Sequence, residues 1–478
     1  MLIRHSALYI TAKLVPGLLG MVTTALLTRL LVPSQYGLYG LALVIMTFGS
    51  AIAFDWLGLA YLRVAQNRPD KLVAASTFVQ LFLGLVALTL VAAALAWTSG
   101  LIDPPDLPII AAGLLMTWAY AWFELVSRFH VADLRPGAYL RMNLGRAALI
   151  LGGAGVAAWL TRDPVWTAIG TAAGTLAGAF LGGFGRYRLG AAAFDGALAR
   201  AALTFGLPLA ASLTLGSLVG SGTRALVSSL ASLEALGLYT ASFVLVQNTL
   251  ATVAAGIASA GFSLAVRAVD SGDKERARAQ LHANASLLLA VLAPATVGLA
   301  LTSHSIAAVL VGPGYVDTVA ALTPWMAVGA FFAGFRAHYL DHAFQLGRRP
   351  HGQIWVTALA ALVTVALAVA LIPRLGPLGA ALSVTAGMIV STVYAVTAGR
   401  SAYPLPLPWD TAWRVALACT AMAACVTAVP GSGLASLILQ VTLGAGAYAA
   451  AAIALDLLGA RGHFARLLAP RLLRTGPT

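Results

Sequence analysis

The chain has 478 residues, of which 60% are hydrophobic and only 9% charged, and its formal net charge is +13. An ordinary soluble domain is about one quarter charged, so the composition excludes a water-facing globule with a soluble catalytic domain. The cations are scattered among short loops and form no basic face with interleaved aromatics, which argues against nucleic acid as a partner.

Lipid is the alternative solvent. There every backbone N–H and C=O must pair within the protein, which leaves helices or a closed barrel. A barrel would show segments of roughly 10 residues with alternating polarity. This sequence shows apolar runs of about 20 residues, the length a helix needs to cross the hydrocarbon core. The expected fold class is therefore an all-α integral membrane protein with about 14 transmembrane helices.

In chain order, the first span is expected over residues 6–31. It follows Arg4 and His5 and resembles a signal peptide, but it runs too long and lacks a clear small-residue cleavage site, so it reads as a retained span. Spans 37–62, 72–97, 107–130, 138–160 and 165–184 come next. Along the last of these, Gly170, Gly174, Gly178 and Gly182 recur every four residues and make one flat face suited to close helix packing. The connection from Arg186 to Arg200 mixes apolar and basic residues and is expected to lie along the membrane surface. Spans 203–227, 236–265, 282–301, 318–345, 353–372 and 376–398 follow, then 411–429 and 434–457, then a basic tail. Cys419 and Cys425 lie six apart in one apolar run, about 600° around a helix, so they face different ways and read as small core residues.

Lys and Arg should concentrate in cytoplasmic loops. With the N-terminus placed inside and the loops alternating, 22 of the 29 Lys and Arg fall inside, and the outside loops hold only Arg162 and Arg374. Fourteen spans with both termini cytoplasmic is the expected topology. Sliding the chain by 200 lays Thr23–Tyr39 on Thr223–Tyr239 without a gap and matches Gly37-Leu38-Tyr39 with Gly237-Leu238-Tyr239. That register implies two parallel six-helix lobes. The domains so expected are an N-terminal lobe over 1–184, an interfacial cytoplasmic linker over 185–202, a C-terminal lobe over 203–398, and two further helices with a basic cytoplasmic tail over 399–478.

Three short segments carry a family resemblance. Arg29-Leu30-Leu31-Val32-Pro33-Ser34-Gln35-Tyr36-Gly37-Leu38-Tyr39 resembles the R-L-L-x-P-x-x-Y-G-x-Y opening of bacterial Wzx-type polysaccharide-biosynthesis flippases of the MOP superfamily. Val311-Gly312-Pro313-Gly314-Tyr315 resembles that family's G-x-x-Y segment before span 10, and Leu375-Gly376-Pro377-Leu378-Gly379-Ala380-Ala381 its L-G-x-x-G-A-A entry to span 12. The resemblance implies a non-enzymatic transporter of the bacterial cytoplasmic membrane, with no cofactor. Its implied substrate is a lipid-linked oligosaccharide on a polyprenyl pyrophosphate, and membrane lipids and polysaccharide polymerase machinery are its implied partners. The alternative is a cation- or proton-coupled multidrug exporter of the related MATE type.

Charges inside the spans are the candidate functional residues, because a lone charge at the bilayer centre costs roughly 2.5–3.5 kcal/mol on insertion scales. Lys13 and Asp55 lie 21 residues either side of Ser34, and Glu124 and Arg146 lie 11 residues either side of Arg135, so each pair should share a depth on adjacent helices. Both are expected to be structural or coupling ion pairs. Arg224 and Arg336 then have no equal-depth acid, although Asp341 reaches Arg336 if span 10 is distorted, and Arg29 stands at the outer end of span 1. These three arginines are the expected substrate-binding residues, since a guanidinium keeps its charge and its fork suits phosphate oxygens. His338 and His342 share a face, but zinc would need a further ligand from elsewhere, and no metal site is expected.

Overall fold

The computed structural model describes residues 2–66, 68–183, 194–251, 253–254, 269, 273–349 and 351–462, with the side chains of 2–14 and of 251 left aside. Every regular element among them is helical. The helices are α1 (Leu2–Leu30), α2 (Pro33–Ala53), α3 (Asp55–Ala60), α4 (Lys71–Thr98), α5 (Leu107–Ala132), α6 (Pro136–Thr161), α7 (Pro164–Phe180), α8 (Gly196–Ser217), α9 (Thr223–Leu230) and α10 (Leu233–Val246). They continue as α11 (Lys274–Leu301), α12 (Ser303–Leu310), α13 (Val316–Phe335), α14 (His342–Leu346), α15 (His351–Leu375), α16 (Pro377–Ala402), α17 (Trp409–Thr427) and α18 (Leu434–Ala454). Ten helical segments are long and apolar enough to cross a membrane. The protein is an all-helical, multi-pass membrane protein, as its composition requires.

Local chemistry sets the helix starts. The carboxylates of Asp70, Asp163, Asp195 and Asp273 accept from the backbone N–H of Val73, Val165, Leu198 and Arg276, which caps α4, α7, α8 and α11. Proline occupies the first position of α2, α6 and α7, where its missing N–H costs nothing. Inside the helices, the hydroxyls of Thr23, Thr47, Thr171 and Thr175 donate to the carbonyl four residues back, so these four are satisfied without water. On α4 the early residues Ala74, Phe78 and Phe82 are buried while Leu83, Leu88, Val91 and Leu95 stand exposed, an apolar outer face suited to lipid.

Among the described residues four π-helical turns interrupt the α-helical runs: Tyr61–Ala65, Leu218–Gly222, Gln247–Ala251 and Arg336–Leu340. Such turns carry i→i+5 bonds and often mark functional sites. Periodicity did not reveal them. The glycine-rich Leu218-Val219-Gly220-Ser221-Gly222 stretch, poor in helix propensity, was the available signal for one.

The chain divides into two compact units, one holding Met1–Asn248, Leu310–Tyr315 and Ala360–Val384, the other Thr249–Val309, Val316–Leu359 and Thr385–Thr478. In the first, α7 lies against α6 along its glycine face. A Cβ added at Gly170, Gly174 or Gly178 would come within 2.4, 2.5 and 2.7 Å of Gly153 O, Leu149 O and Arg146 Cα, so only glycine permits this approach. The two copies of Gly-Leu-Tyr also meet. A Cβ at Gly37 would stand 1.7 Å from Leu233 O and one at Gly237 would stand 2.1 Å from Pro33 O, a reciprocal contact between α2 and α10. At one end of this unit Arg68 pairs with Asp195 (3.0 Å) and Lys71 with Asp133 (2.7 Å), joining connections that the alternation of loops assigns to one side. An aromatic core of Phe54, Trp56, Tyr61, Phe78, Phe82 and Phe129 lies within the unit. In the second unit α11 packs against α13 and α17, and the Tyr448 hydroxyl of α18 donates to Ala290 O of α11. Of the expected linker, residues 184–193 lie outside the described residues, as does the tail from 463.

Candidate functional site

Two of the three segments that carry the family resemblance, Arg29–Tyr39 and Val311–Tyr315, touch in the first unit. Gly312 N–H donates to Thr28 Oγ1 at 3.2 Å and the Tyr315 hydroxyl donates to Leu31 O at 2.9 Å. The Tyr315 ring meets Tyr36 edge-on, with centroids 5.9 Å apart. Residues 284 apart in sequence are thereby fixed against the turn between α1 and α2. Arg29 sits beside this turn, exposed, with Nη1 donating to Ala25 O at 3.3 Å.

Arg224 opens α9 immediately after a π-helical turn and is 5% exposed. Its Nη2 donates to Ser221 Oγ (3.2 Å) and Thr47 Oγ1 (3.3 Å), its Nε reaches Gly220 O (3.5 Å), and its guanidinium lies 4.9 Å from the Phe243 ring centroid. Among the described residues no carboxylate lies within ion-pairing distance of it. Hydroxyls and an aromatic face thus hold a buried cation whose charge is uncompensated. Arrangements of this kind inside a membrane-spanning region are expensive.

Tyr36 and Tyr239 lie within electrostatic reach of Arg224, and Tyr36 also lines a cavity of about 270 Å³ in the same unit. The wall carries Thr23, Thr24, Tyr39, Tyr120, Thr171 and Thr175, with one cation, Arg146. Leu27, Leu43, Met46, Ile150 and Val244 also line the wall, so the cavity is mostly apolar with one guanidinium and a few hydroxyls, and it has room for several waters or one small group. Arg146 owes its position to α7. Gly178 presses on the Arg146 backbone, and the side chain lies over Phe123, 4.3 Å from its centroid, and 5.8 Å from that of Tyr120.

This corrects the expected Glu124–Arg146 pair. Glu124 accepts from Arg128 Nη2 at 3.3 Å, one turn along the same helix, while Arg146 takes aromatic faces. Equal depth on adjacent helices did not put the two side chains on facing surfaces. Asp55 accepts a hydrogen bond from Ser50 Oγ. The Lys13 side chain, its expected partner, lies outside the described residues.

In the second unit Arg336 begins a π-helical turn. Asp341 N–H donates to Arg336 O across it, which brings the Asp341 carboxylate 4.0 Å from Arg336 Nε. In a regular α-helix five residues is about 500°, which leaves side chains on different faces; the wider turn aligns them. Arg336 Nη1 also donates to Ser391 Oγ at 3.0 Å. Arg336 is thereby a compensated cation, unlike Arg224, through the distortion on which its pairing with Asp341 depended. Arg224 and Arg29 belong to the first unit and Arg336 to the second. The sequence did not point to Arg146 as a cavity residue, because its symmetric spacing from Glu124 suggested a pair. The polar runs Thr23-Thr24 and Thr171/Thr175 were the legible trace of the cavity.

Comparison with known proteins agrees with this description. The chain is similar over 96% of its length, and 99% of the other's, to a lipid II flippase, MurJ, in an inward closed conformation, with a TM-score of 0.73 at 13% identity. It is similar over 83% of its length, and 94% of the other's, to an inward-facing MATE multidrug transporter of the MOP superfamily (TM-score 0.54, 15% identity), and over 84% and 94% to an outward-facing one (0.58, 14%). At these identities the likeness establishes the fold. No curated protein matches the sequence. The family described as "Polysaccharide biosynthesis protein" matches residues 26–320, most of the chain, and the chain belongs to it.

Proposed function

We propose that this protein moves a lipid-linked oligosaccharide, carried on a polyprenyl pyrophosphate, from the inner to the outer leaflet of the bacterial cytoplasmic membrane by alternating access of two helical lobes, without covalent chemistry. Membership in a polysaccharide biosynthesis family supports the glycan, and the fold shared with a lipid II flippase supports the movement. The observation that carries the reading is Arg224, a buried guanidinium with no acid beside it among the described residues. A pyrophosphate supplies the missing negative charge, Arg146 in its cavity offers a seat for a phosphate or proximal sugar, and the polyprenyl tail stays in lipid. Arg29, exposed in the same unit, is a further cation for the phosphate, and Arg336, in the second unit, is proposed as a substrate-binding residue in its own right. Fourteen spans with both termini cytoplasmic, and a surface polysaccharide polymerase downstream, complete the proposal.

A strain whose surface polysaccharide depends on this protein tests it, with membrane abundance of each variant checked. Arg224→Ala should abolish export and Arg224→Lys should restore little, because an ammonium cannot keep the fork to two hydroxyls and the ring contact together. Full export by the Arg224→Ala/Arg336→Ala double variant would overturn the cationic path. A cation exporter of the MATE type is the competing reading, favoured by the shared fold. Uncompensated guanidiniums repel cationic drugs, so unchanged drug sensitivity on deletion is expected.

A further inference from the structure

In the second unit the first turns of α11, the last turn of α16 and the start of α17 border an open groove of about 740 Å³. Arg278, His282 and Arg400 line it, with Glu275 as the lone carboxylate on its wall. Neither Arg278 nor Arg400 has an acid within ion-pairing distance among the described residues, and His282 is engaged by Asp410 at 3.0 Å. The groove is therefore net cationic. Its rim carries Trp409, 73% exposed, and its floor Leu405 and Leu407. A narrow apolar cleft lined by Leu340, Ala343, Val396 and Tyr403 adjoins it and shares Arg400, Leu405 and Leu407.

Depth decides what such a groove meets. α11 passes from the charged turn Lys274-Glu275-Arg276 to an apolar run within two turns, and α16 ends with Arg400 after a long apolar run. The groove thus lies at the level of lipid headgroups, where tryptophan concentrates. Basic pockets between helix ends at this level seat anionic headgroups. A free anion would use the two guanidiniums but neither the exposed indole nor the apolar cleft. An amphiphile uses all three.

We propose that this groove binds the phosphate of an anionic phospholipid, with Arg278 and Arg400 on the headgroup, Trp409 at the glycerol level and the start of an acyl chain against Leu405 and Leu407 of the groove wall. The groove shares no lining residue with the cavity beside Arg146. It has a mechanical link to Arg336, because the Tyr339 hydroxyl, on the same π-helical turn, donates to Pro406 O in the segment that floors the groove.

The test uses the full-length protein, delipidated and reconstituted in nanodiscs of phosphatidylcholine with a minority of phosphatidylglycerol. Lipid retained on the released protein is counted by native mass spectrometry. The wild type should retain phosphatidylglycerol over phosphatidylcholine, and Arg278→Gln/Arg400→Gln should lower that enrichment about thirtyfold, at roughly 1 kcal/mol for each of the two basic residues near a surface. Arg278→Lys/Arg400→Lys should keep most of it, which shows that the fold and groove survive substitution. The charge-matched Arg135→Gln/Arg162→Gln variant should keep all of it. Equal enrichment in the wild type and the double Gln variant, or an equal loss in the Arg135/Arg162 control, would overturn the proposal. Displacement of the phosphatidylglycerol by millimolar inorganic phosphate would assign the groove to a free anion, and loss of enrichment only when a protein partner is present would assign it to that partner.

Discussion

Arg224 and Arg146 show how a guanidinium is kept inside a membrane protein: hydroxyl oxygens and ring faces replace the carboxylate that would neutralise it. The chemistry of each was legible in the sequence, since an arginine inside an apolar run always calls for a partner or a wet cavity. The partners were not legible. Depth follows from residue counts, but the direction a side chain takes around its helix depends on neighbours that the chain supplies from elsewhere. Glu124 illustrates this, because a partner four residues along its own helix displaced one at equal depth on the next. A double-mutant cycle should therefore give a coupling of about 0.5 kcal/mol between Glu124→Gln and Arg128→Gln in thermal unfolding, the usual size for a partly exposed pair one turn apart. Glu124→Gln with Arg146→Gln should be additive, and a larger coupling there would restore the pairing expected from symmetry.

The helices follow closely from apolar run length, aspartate caps and first-position prolines. What the sequence hid is where they depart from the α-helix. The π-helical turns before Arg224 and at Arg336 use the same backbone atoms as an ordinary turn, and only tertiary packing makes the extra residue favourable. At Arg336 the consequence is an ion pair between residues five apart. Asp341→Asn should leave that guanidinium without its counter-charge and lower thermal stability. Adding Arg336→Gln should recover part of the loss, because removing both charges leaves neither unpaired. Additive losses would show that the pair contributes nothing. The α6–α7 contact was legible from the four-residue glycine repeat. Gly174→Leu drives a side chain into the Leu149 carbonyl and should cost about 1–3 kcal/mol of stability, while Gly152→Leu, at an open position on α6, should cost little.

At the scale of the whole molecule, a chain 60% hydrophobic with turns that break it into spans declares a polytopic helical protein, and the fold shared with MOP-superfamily transporters answers that reading. The two Gly-Leu-Tyr tripeptides, 200 apart in sequence, meet through Gly37 and Gly237, a contact that the shared motif did not itself predict. The contact between the Arg29–Tyr39 and Val311–Tyr315 segments was not legible, because nothing local links residues 284 apart. The proposed orientation predicts that reporter fusions after Arg200 and after Thr478 both read as cytoplasmic, and an external signal at either would reject it. The central claim concerns what crosses the membrane. Purified protein in liposomes, with a polyprenyl-pyrophosphate oligosaccharide placed in one leaflet and its exposure followed by an external glycosidase, measures that directly. The wild type should bring the glycan to both leaflets, and Arg224→Ala, folded and reconstituted at equal density, should not. Wild-type liposomes in which the glycan stays where it was placed, or in which a cationic drug moves instead, would contradict the account.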